Sequence, residues 1–325
     1  MLDKFRFSTL IKNIDPAHIP KKINLILEGG CMNGAYEIGG LTLIKELERI
    51  KLTTIEKISG ASVGAYAGFL FLTDNLNKYI DEYGEMRESF KKHLKLVKLK
   101  EQLRFLVNKL SDIQFKSLQE NKLFITFYNI DTQQQEVISK YSTREELITS
   151  ILKSCHLPFL INGECFYVDK KTNTKYIDGG VPYLFPTHNK TTQTETETET
   201  ETETEQVKNL YMKLTQYDRI KTTINVSYEK TVHGRILEGV IDTYNFFLKN
   251  NETNMCSYVE EWSQINKIYY KFCEIGYKLI IILIYIISIL INTLSPKFKK
   301  THFYKHFSPI FYKIYEKIII YLVFV

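Results

Sequence analysis

The 325-residue chain has only five cysteines, Cys31, Cys155, Cys165, Cys256 and Cys273. They are odd in number, widely spread and never paired as Cys-x-x-Cys, which argues against a disulfide framework and against a zinc site. Reduced thiols facing the cytosol are the expectation. Met1–Pro20 mixes charged and apolar residues and lacks the continuous apolar core of a secretory signal, so Sec-type export is not expected. Lys and Arg exceed Asp and Glu by 43 to 37, a net charge of +6, yet the basic residues are scattered. No Lys/Arg block interleaved with aromatics marks a nucleic-acid surface, and the excess suits an anionic membrane surface instead. No motif requires a metal or an organic cofactor.

What is present begins with an alternation of strand and helix signals. Lys22–Glu28 (KINLILE) is a short apolar run that stops at Gly29-Gly30, the pattern of a buried strand ending in a tight loop. From Gly34 to Ile50, Ile38, Leu41, Leu43, Ile44 and Leu47 recur near helical spacing. Ile55–Ser59 reads as a second strand and Val63–Leu72 as a second, strongly apolar helix. This order predicts a parallel α/β sheet. Asn75–Leu110 reads as helices that either cap the active-site side or pack only. Lys122–Ile130 and Glu136–Lys140 read as pairing strands, and Ser142 with Glu145 forms a capping-box signal for a helix over Thr143–Ser154. A hairpin over Cys165–Val168 and Lys175–Ile177 follows, then strands at Asn209–Leu214 and Thr222–Tyr228 and a helix at Arg235–Lys249.

Two segments leave this pattern. Residues 191–206 centre on a strict Thr-Glu alternation that cannot bury enough apolar area to offset the entropy of ordering it, so a disordered insertion is expected. Residues 276–294 contain the uncharged run Leu279–Ile291, close to the roughly 20 residues of a bilayer-spanning helix. A membrane helix is expected there, with Lys278 snorkelling at its end. Basic residues on both sides give no orientation. The expected organisation is an N-terminal extension over 1–20, a catalytic domain over 21–275, the insertion, the membrane helix, and a basic and apolar tail over 295–325.

Three short motifs carry chemistry. Gly60-Ala61-Ser62-Val63-Gly64 lies between a strand and a helix, where Gly-x-Ser-x-Gly forms a nucleophile elbow. The sharp turn crowds the positions two before and two after the serine, which is why Gly60 and Gly64 are small. The helix N-terminus behind Ser62 favours an oxyanion. Glu28-Gly29-Gly30-Cys31-Met32-Asn33-Gly34 lacks the Lys-Ser/Thr of a P-loop, and Cys31 breaks a dinucleotide fingerprint, so an oxyanion loop fits better than a nucleotide site. Asp178-Gly179-Gly180 places a carboxylate at a strand end, about 115 residues after the serine.

In this order the motifs resemble the patatin-like phospholipases, with further likeness at Gly34–Leu41 and at Ser154-Cys155-His156-Leu157-Pro158. The resemblance spans residues 22–186. It implies a three-layer α/β sandwich with a mainly parallel central sheet and a Ser-Asp dyad. Ser62 is then the nucleophile and Asp178 the proton acceptor, with Gly29, Gly30, Cys31 and Gly34 framing the oxyanion hole and Asp178, Gly179 and Gly180 as the third motif. His156 and His233 are the rivals for a Ser-His-Asp triad, and neither sits in a motif.

Tyr183-Leu184 replaces the polar residue often found after Asp-Gly-Gly, and two positions of the glycine loop also depart from the family pattern. Cys31 stands where glycine is usual, so its side chain narrows the loop. Asn33 stands where many members carry Arg or Lys, which weakens charge stabilisation. The first reading is a membrane-bound serine hydrolase acting on phospholipids, lysophospholipids or acylglycerols, with the catalytic domain facing the cytosol. Its partners are membrane lipids, as substrate and as surface, and neither nucleic acid nor a dinucleotide. The alternative is a catalytically silent patatin-like membrane protein that binds lipid or a protein partner. Cys31 and Asn33 favour the second, and the intact Ser62 and Asp178 favour the first.

Overall fold

A computed structural model describes residues 7–93, 96, 98–119, 121–158, 161–186, 207–215, 232–293, 300–301 and 305–306. The Thr-Glu insertion, the strand read over 222–228 and nearly all of the 295–325 tail lie outside the described residues.

Among the described residues the centre is an eight-stranded sheet. Four strands run parallel: β1 (Lys22–Leu27), β2 (Thr54–Ala61), β3 (Leu123–Asn129) and, on the other side of β1, a strand at Lys208–Met212. Antiparallel strands finish each side. Next to β3 lie β4 (Gln134–Ile138) and the hairpin β5 (Tyr167–Val168) with β6 (Lys175–Asp178). The strand at Lys208–Met212 is β7, and β8 (Cys256–Tyr258) pairs with it. The architecture is a mixed α/β fold with a mainly parallel central sheet, as the strand and helix order predicts.

Side chains alternate across β1 and so build both faces. Ile23, Leu25 and Leu27 enter the main core, whereas Ile26 enters a smaller cluster on the opposite face with Tyr211, Phe185 and Val259. On the main-core side pack α1 (Phe7–Ile11), α2 (Gly34–Arg49), α3 (Val63–Leu72), α4 (Leu76–His93), α5 (Lys98–Lys109), α6 (Asp112–Gln119), α7 (Arg144–Ser154) and α8 (His233–Lys249). The N-terminal stretch belongs to this core, since Phe7, Ile11, Ile14 and Ile19 are buried in it. A Cβ on Gly39 of α2 would collide with the Ile236 carbonyl of α8, and one on Gly239 would collide with the Tyr36 carbonyl. The two helices therefore cross with backbone against backbone.

The capping box at α7 sits one residue later than Ser142 and Glu145. Thr143 is the N-cap, accepting from Glu146 N at 3.1 Å, and the Glu146 carboxylate accepts from Ser142 N at 2.7 Å. Consecutive Ser-Thr and Glu-Glu pairs make the two registers indistinguishable in sequence.

The expected membrane helix at 276–294 is corrected. Among the described residues no helix is long and apolar enough to cross a membrane. Residues 276–293 are the second part of α9 (Gln264–Thr293), a longer helix that turns one stripe onto the sheet. Ile281 is buried and packs with Tyr128, Ile130 and Ile177, flanked by Tyr277 and Ile284. Glu274 pairs with both Lys271, at 3.1 Å, and Lys278, at 2.9 Å. An apolar stripe used for packing and an apolar stripe meant for lipid have the same composition, which is why the run misleads.

Candidate active site

Sheet register brings the serine and aspartate motifs together. Ala61 of β2 pairs in parallel with Thr126 of β3, and the next β3 residue, Phe127, pairs in antiparallel with Asp178 of β6. Thr126 and Phe127 also pair with Val137 and Glu136 of β4, so β2 and β6 share the opposite edge of β3, and Ser62 and Asp178 meet where the end of β2 faces the end of β6.

Ser62 occupies a strained turn, φ 56° and ψ −129°, as the N-cap of α3. A non-glycine residue in the positive-φ region is uncommon and concentrates at functional sites. The flanking glycines are fixed by contact. A Cβ on Gly60 would lie 2.5 Å from Ala65 N, and one on Gly64 would collide with the Leu27 carbonyl. The backbone of the serine is braced from α7: Ser62 N donates to Ser154 Oγ at 2.9 Å, Ser154 Oγ donates to the Thr126 carbonyl at 2.7 Å, and Cys155 Sγ donates to the Ser62 carbonyl at 3.1 Å.

Asp178 is buried. Its Oδ1 accepts from Gly180 N at 2.8 Å, and Oδ2 has no hydrogen bond within 3.5 Å among the described residues. Burial pushes its pKa up to about 6, while the Ser62 hydroxyl beside it and the Gly180 N–H pull it back down. A carboxylate poised near neutrality next to a strained serine suits proton transfer. Its backbone N–H donates to the His156 carbonyl at 3.1 Å.

The glycine loop closes over both groups. A Cβ on Gly29 would lie 2.9 Å from Ser62 Cβ and 3.3 Å from the Gly180 carbonyl, so the three motifs meet at this point. Gly30 abuts Leu214, and Gly34 abuts Val63 and the Tyr79 hydroxyl. Cys31 has φ 47°, a left-handed conformation that favours glycine, and starts a tight turn over Cys31–Asn33. Burial holds its thiol protonated, with a pKa raised to about 11. Asn33 is fully buried. Its Nδ2 donates to the Leu214 carbonyl at 3.2 Å, and its Oδ1 accepts from the Arg235 guanidinium at 3.1 Å. A cation absent from the loop sequence is thus delivered from α8.

Beside Ser62 lies a small, partly open cavity of about 60 Å³. Its walls are almost wholly apolar: Met32, Val63 and Leu157 near the serine, and Tyr79, Met86 and Leu99 from α4 and α5. The helices over 76–109 therefore do line the active-site side. Neither histidine reaches the serine. His156 packs edge-on against Tyr167, with ring centroids 6.1 Å apart, and burial lowers its pKa to about 4. His233 opens α8. Among the described residues no group of His, Cys, Asp and Glu could hold a metal ion.

No family model matches the chain. It is 24% identical over 173 residues to patatin-like phospholipase domain-containing protein 4 of Homo sapiens, an alignment covering 51% of this chain and 67% of the human protein. The crystal structure of VipD from Legionella pneumophila aligns at 15% identity with a TM-score of 0.29, over 58% of this chain and 49% of that one. The chain thus spans about half the length of that structure, and a superposition so loose bears on neither fold nor site.

Proposed function

We propose that this chain is a lipid acyl ester hydrolase of patatin-like type, acting as a phospholipase A, lysophospholipase or acylglycerol lipase. The observation that carries the reading is Ser62, held at φ 56° on a strand-to-helix turn beside the buried carboxyl of Asp178, and facing an apolar cavity. The name of the human relative points the same way.

In this mechanism the acyl chain lies in the apolar cavity with its carbonyl carbon over Ser62 Oγ. Asp178 accepts the hydroxyl proton as Oγ attacks, and the carbonyl π electrons move to oxygen. Backbone N–H groups of the loop containing Gly29, Gly30, Cys31 and Gly34, with the N-terminal end of α3, stabilise the oxyanion. Collapse breaks the ester C–O bond, and Asp178 returns the proton to the leaving alcohol. Water, deprotonated by the same carboxylate, then releases the fatty acid and regenerates Ser62. No histidine takes part. Membrane lipids are the substrates in this reading, and the five free thiols fit a catalytic domain in the cytosol.

A silent lipid-binding protein is the competing reading. Asn33 supports it less once Arg235 is seen to restore a cation beside the loop. Labelling with a fluorophosphonate decides between them. Wild type is expected to label and to release fatty acid from mixed lipid vesicles, and Ser62→Ala to do neither. A well-folded wild type that takes no label and releases no fatty acid sinks the enzyme reading.

A further inference from the structure

A second, partly open cavity of about 40 Å³ lies where the C-terminal ends of β1 and β7 meet the start of α9. Glu28 contributes to it and is 3% exposed. Its carboxylate accepts from Leu214 N at 2.6 Å, Thr215 N at 2.9 Å, Thr215 Oγ1 at 2.7 Å and the Tyr211 hydroxyl at 3.1 Å. All four donors are neutral, and among the described residues no ion pair includes Glu28. Among the residues lining this cavity the one cation is Lys213, and its ammonium lies over the Tyr269 ring rather than within ion-pair distance of Glu28.

The walls are aromatic and fixed in advance. Tyr211 meets Trp262 and Tyr270 nearly at right angles, with centroids 5.1 Å and 6.1 Å away, and Trp262 lies 5.7 Å from Tyr270. Each polar tip is tied elsewhere: Trp262 Nε1 donates to Ser257 Oγ at 2.9 Å, the Tyr270 hydroxyl to the Pro182 carbonyl at 3.0 Å, and that of Tyr269 to the Thr215 carbonyl at 3.2 Å. These bonds hold the rings in place along the cavity wall. Lys213 already holds its ammonium 4.0 Å over the Tyr269 ring, which shows this wall receiving a cation. Glu252, exposed at the same cavity, adds a second carboxylate that no lysine or arginine pairs with among the described residues.

We propose that this cavity binds a quaternary ammonium group, that of a phosphocholine head. The four hydrogen bonds to Glu28 occupy its four acceptor sites, so a metal ion or a primary ammonium finds no vacant oxygen there. A trimethylammonium donates no hydrogen bond and needs only negative potential and apolar walls. Lys213 gives the adjoining phosphate its counter-charge. The site is separate from the acyl cavity at Ser62 and does not depend on the reaction assigned there.

Trp262 is the only tryptophan in the chain, so its emission reports on the cavity directly. Full-length protein is titrated with tetramethylammonium chloride, phosphocholine, ammonium chloride and sodium phosphate. A saturable change with the first two and none with the last two is expected. Glu252→Gln weakens both ligands roughly 3- to 10-fold, and Lys213→Met weakens phosphocholine while sparing tetramethylammonium. Both changes are at surface-accessible positions that leave the fold intact, which circular dichroism verifies. No saturable response, an equal response to ammonium, or indifference to both substitutions overturns the proposal. Sedimentation with phosphatidylcholine against phosphatidylglycerol vesicles separates the sources: capture by the former alone assigns the membrane head group, and binding of soluble phosphocholine without capture assigns the free compound. Because binding is read without turnover, failure here leaves the Ser62 reading untouched.

Discussion

The Tyr277 hydroxyl of α9 donates a hydrogen bond to the backbone carbonyl of Asp178, and its ring fills the space a Cβ on Gly180 would need. Gly180 has φ 67°, so the turn after the aspartate is held both by its own left-handed backbone and by this ring. The C-terminal helix thus acts on the site as a brace. Tyr277→Phe loses one hydrogen bond and is expected to lower kcat several-fold with KM little changed. Tyr277→Ala also removes the ring and is expected to cost at least a further 10-fold. A helix that served only as an anchor makes a different prediction, since removing residues 264–325 would then spare hydrolysis of a water-soluble ester. As a brace, its loss abolishes that hydrolysis too. Kinetics on a soluble ester distinguish the two.

Arg235 reaches Asn33 across 202 residues of sequence and is itself buried. It holds the side chain that pins the glycine loop to the Leu214 carbonyl, and so acts as a positioning residue. Arg235→Met is expected to lower kcat by about 10- to 100-fold, in the range of a lost oxyanion contact, while KM changes little. Arg235→Lys keeps the charge but not the planar fork, and is expected to recover only part of the rate. Equal effects of the two substitutions on kcat and on melting temperature would reduce Arg235 to a structural role.

The sequence makes the local parts of this molecule legible and leaves the tertiary ones hidden. Val63–Leu72 is helical over the bounds its apolar run predicts, and β1 ends at Leu27, one residue short of the run Lys22–Glu28 that stops at Gly29-Gly30, because propensity and turn chemistry act over a few residues. The elbow is equally local, since Gly60 and Gly64 crowd only their own turn. Arg235 and Tyr277 carry no motif and Ser154 is marked only by the likeness of its Ser-Cys-His-Leu-Pro run; all three acquire their roles through sheet register and helix packing. The apolar run of α9 was open to two readings because hydropathy does not record which face meets a sheet. Cys31 shows the reverse case, an odd residue whose place in the loop is visible but whose φ is not.

The crossing of α2 and α8 sets where Arg235 arrives. Gly39→Ala and Gly239→Ala each push a methyl group into a carbonyl of the facing helix, where backbone cannot yield as a flexible side chain would. Each is expected to destabilise the fold by about 3 kcal/mol, the upper part of the range for overpacking. Gly234→Ala is the control, with open space around its Cβ. It is expected to stabilise α8 slightly through helix propensity. Urea midpoints of the three variants, read at constant slope, measure the contrast.

Asp178 links the chemistry to stability through one shift. Its native pKa near 6 lies above the ordinary value of 3.8. Between these values the folded state binds more protons than the unfolded state, so stability falls as pH rises through the window. Above pH 6 the buried charge is fully present and destabilises the fold by about 3 kcal/mol, from roughly two units at 1.36 kcal/mol each. Asp178→Asn removes that charge and is expected to raise the melting temperature at pH 8, while the gain vanishes below about pH 3, where the acid is protonated in both states. Turnover follows the opposite course. The base must be ionised to accept the Ser62 proton, so wild-type kcat/KM rises through pH 6 and Asp178→Asn is inactive throughout. Thermal melts and rate profiles on the same samples check both, and an Asn variant less stable than wild type at pH 8 would refute the buried-charge account.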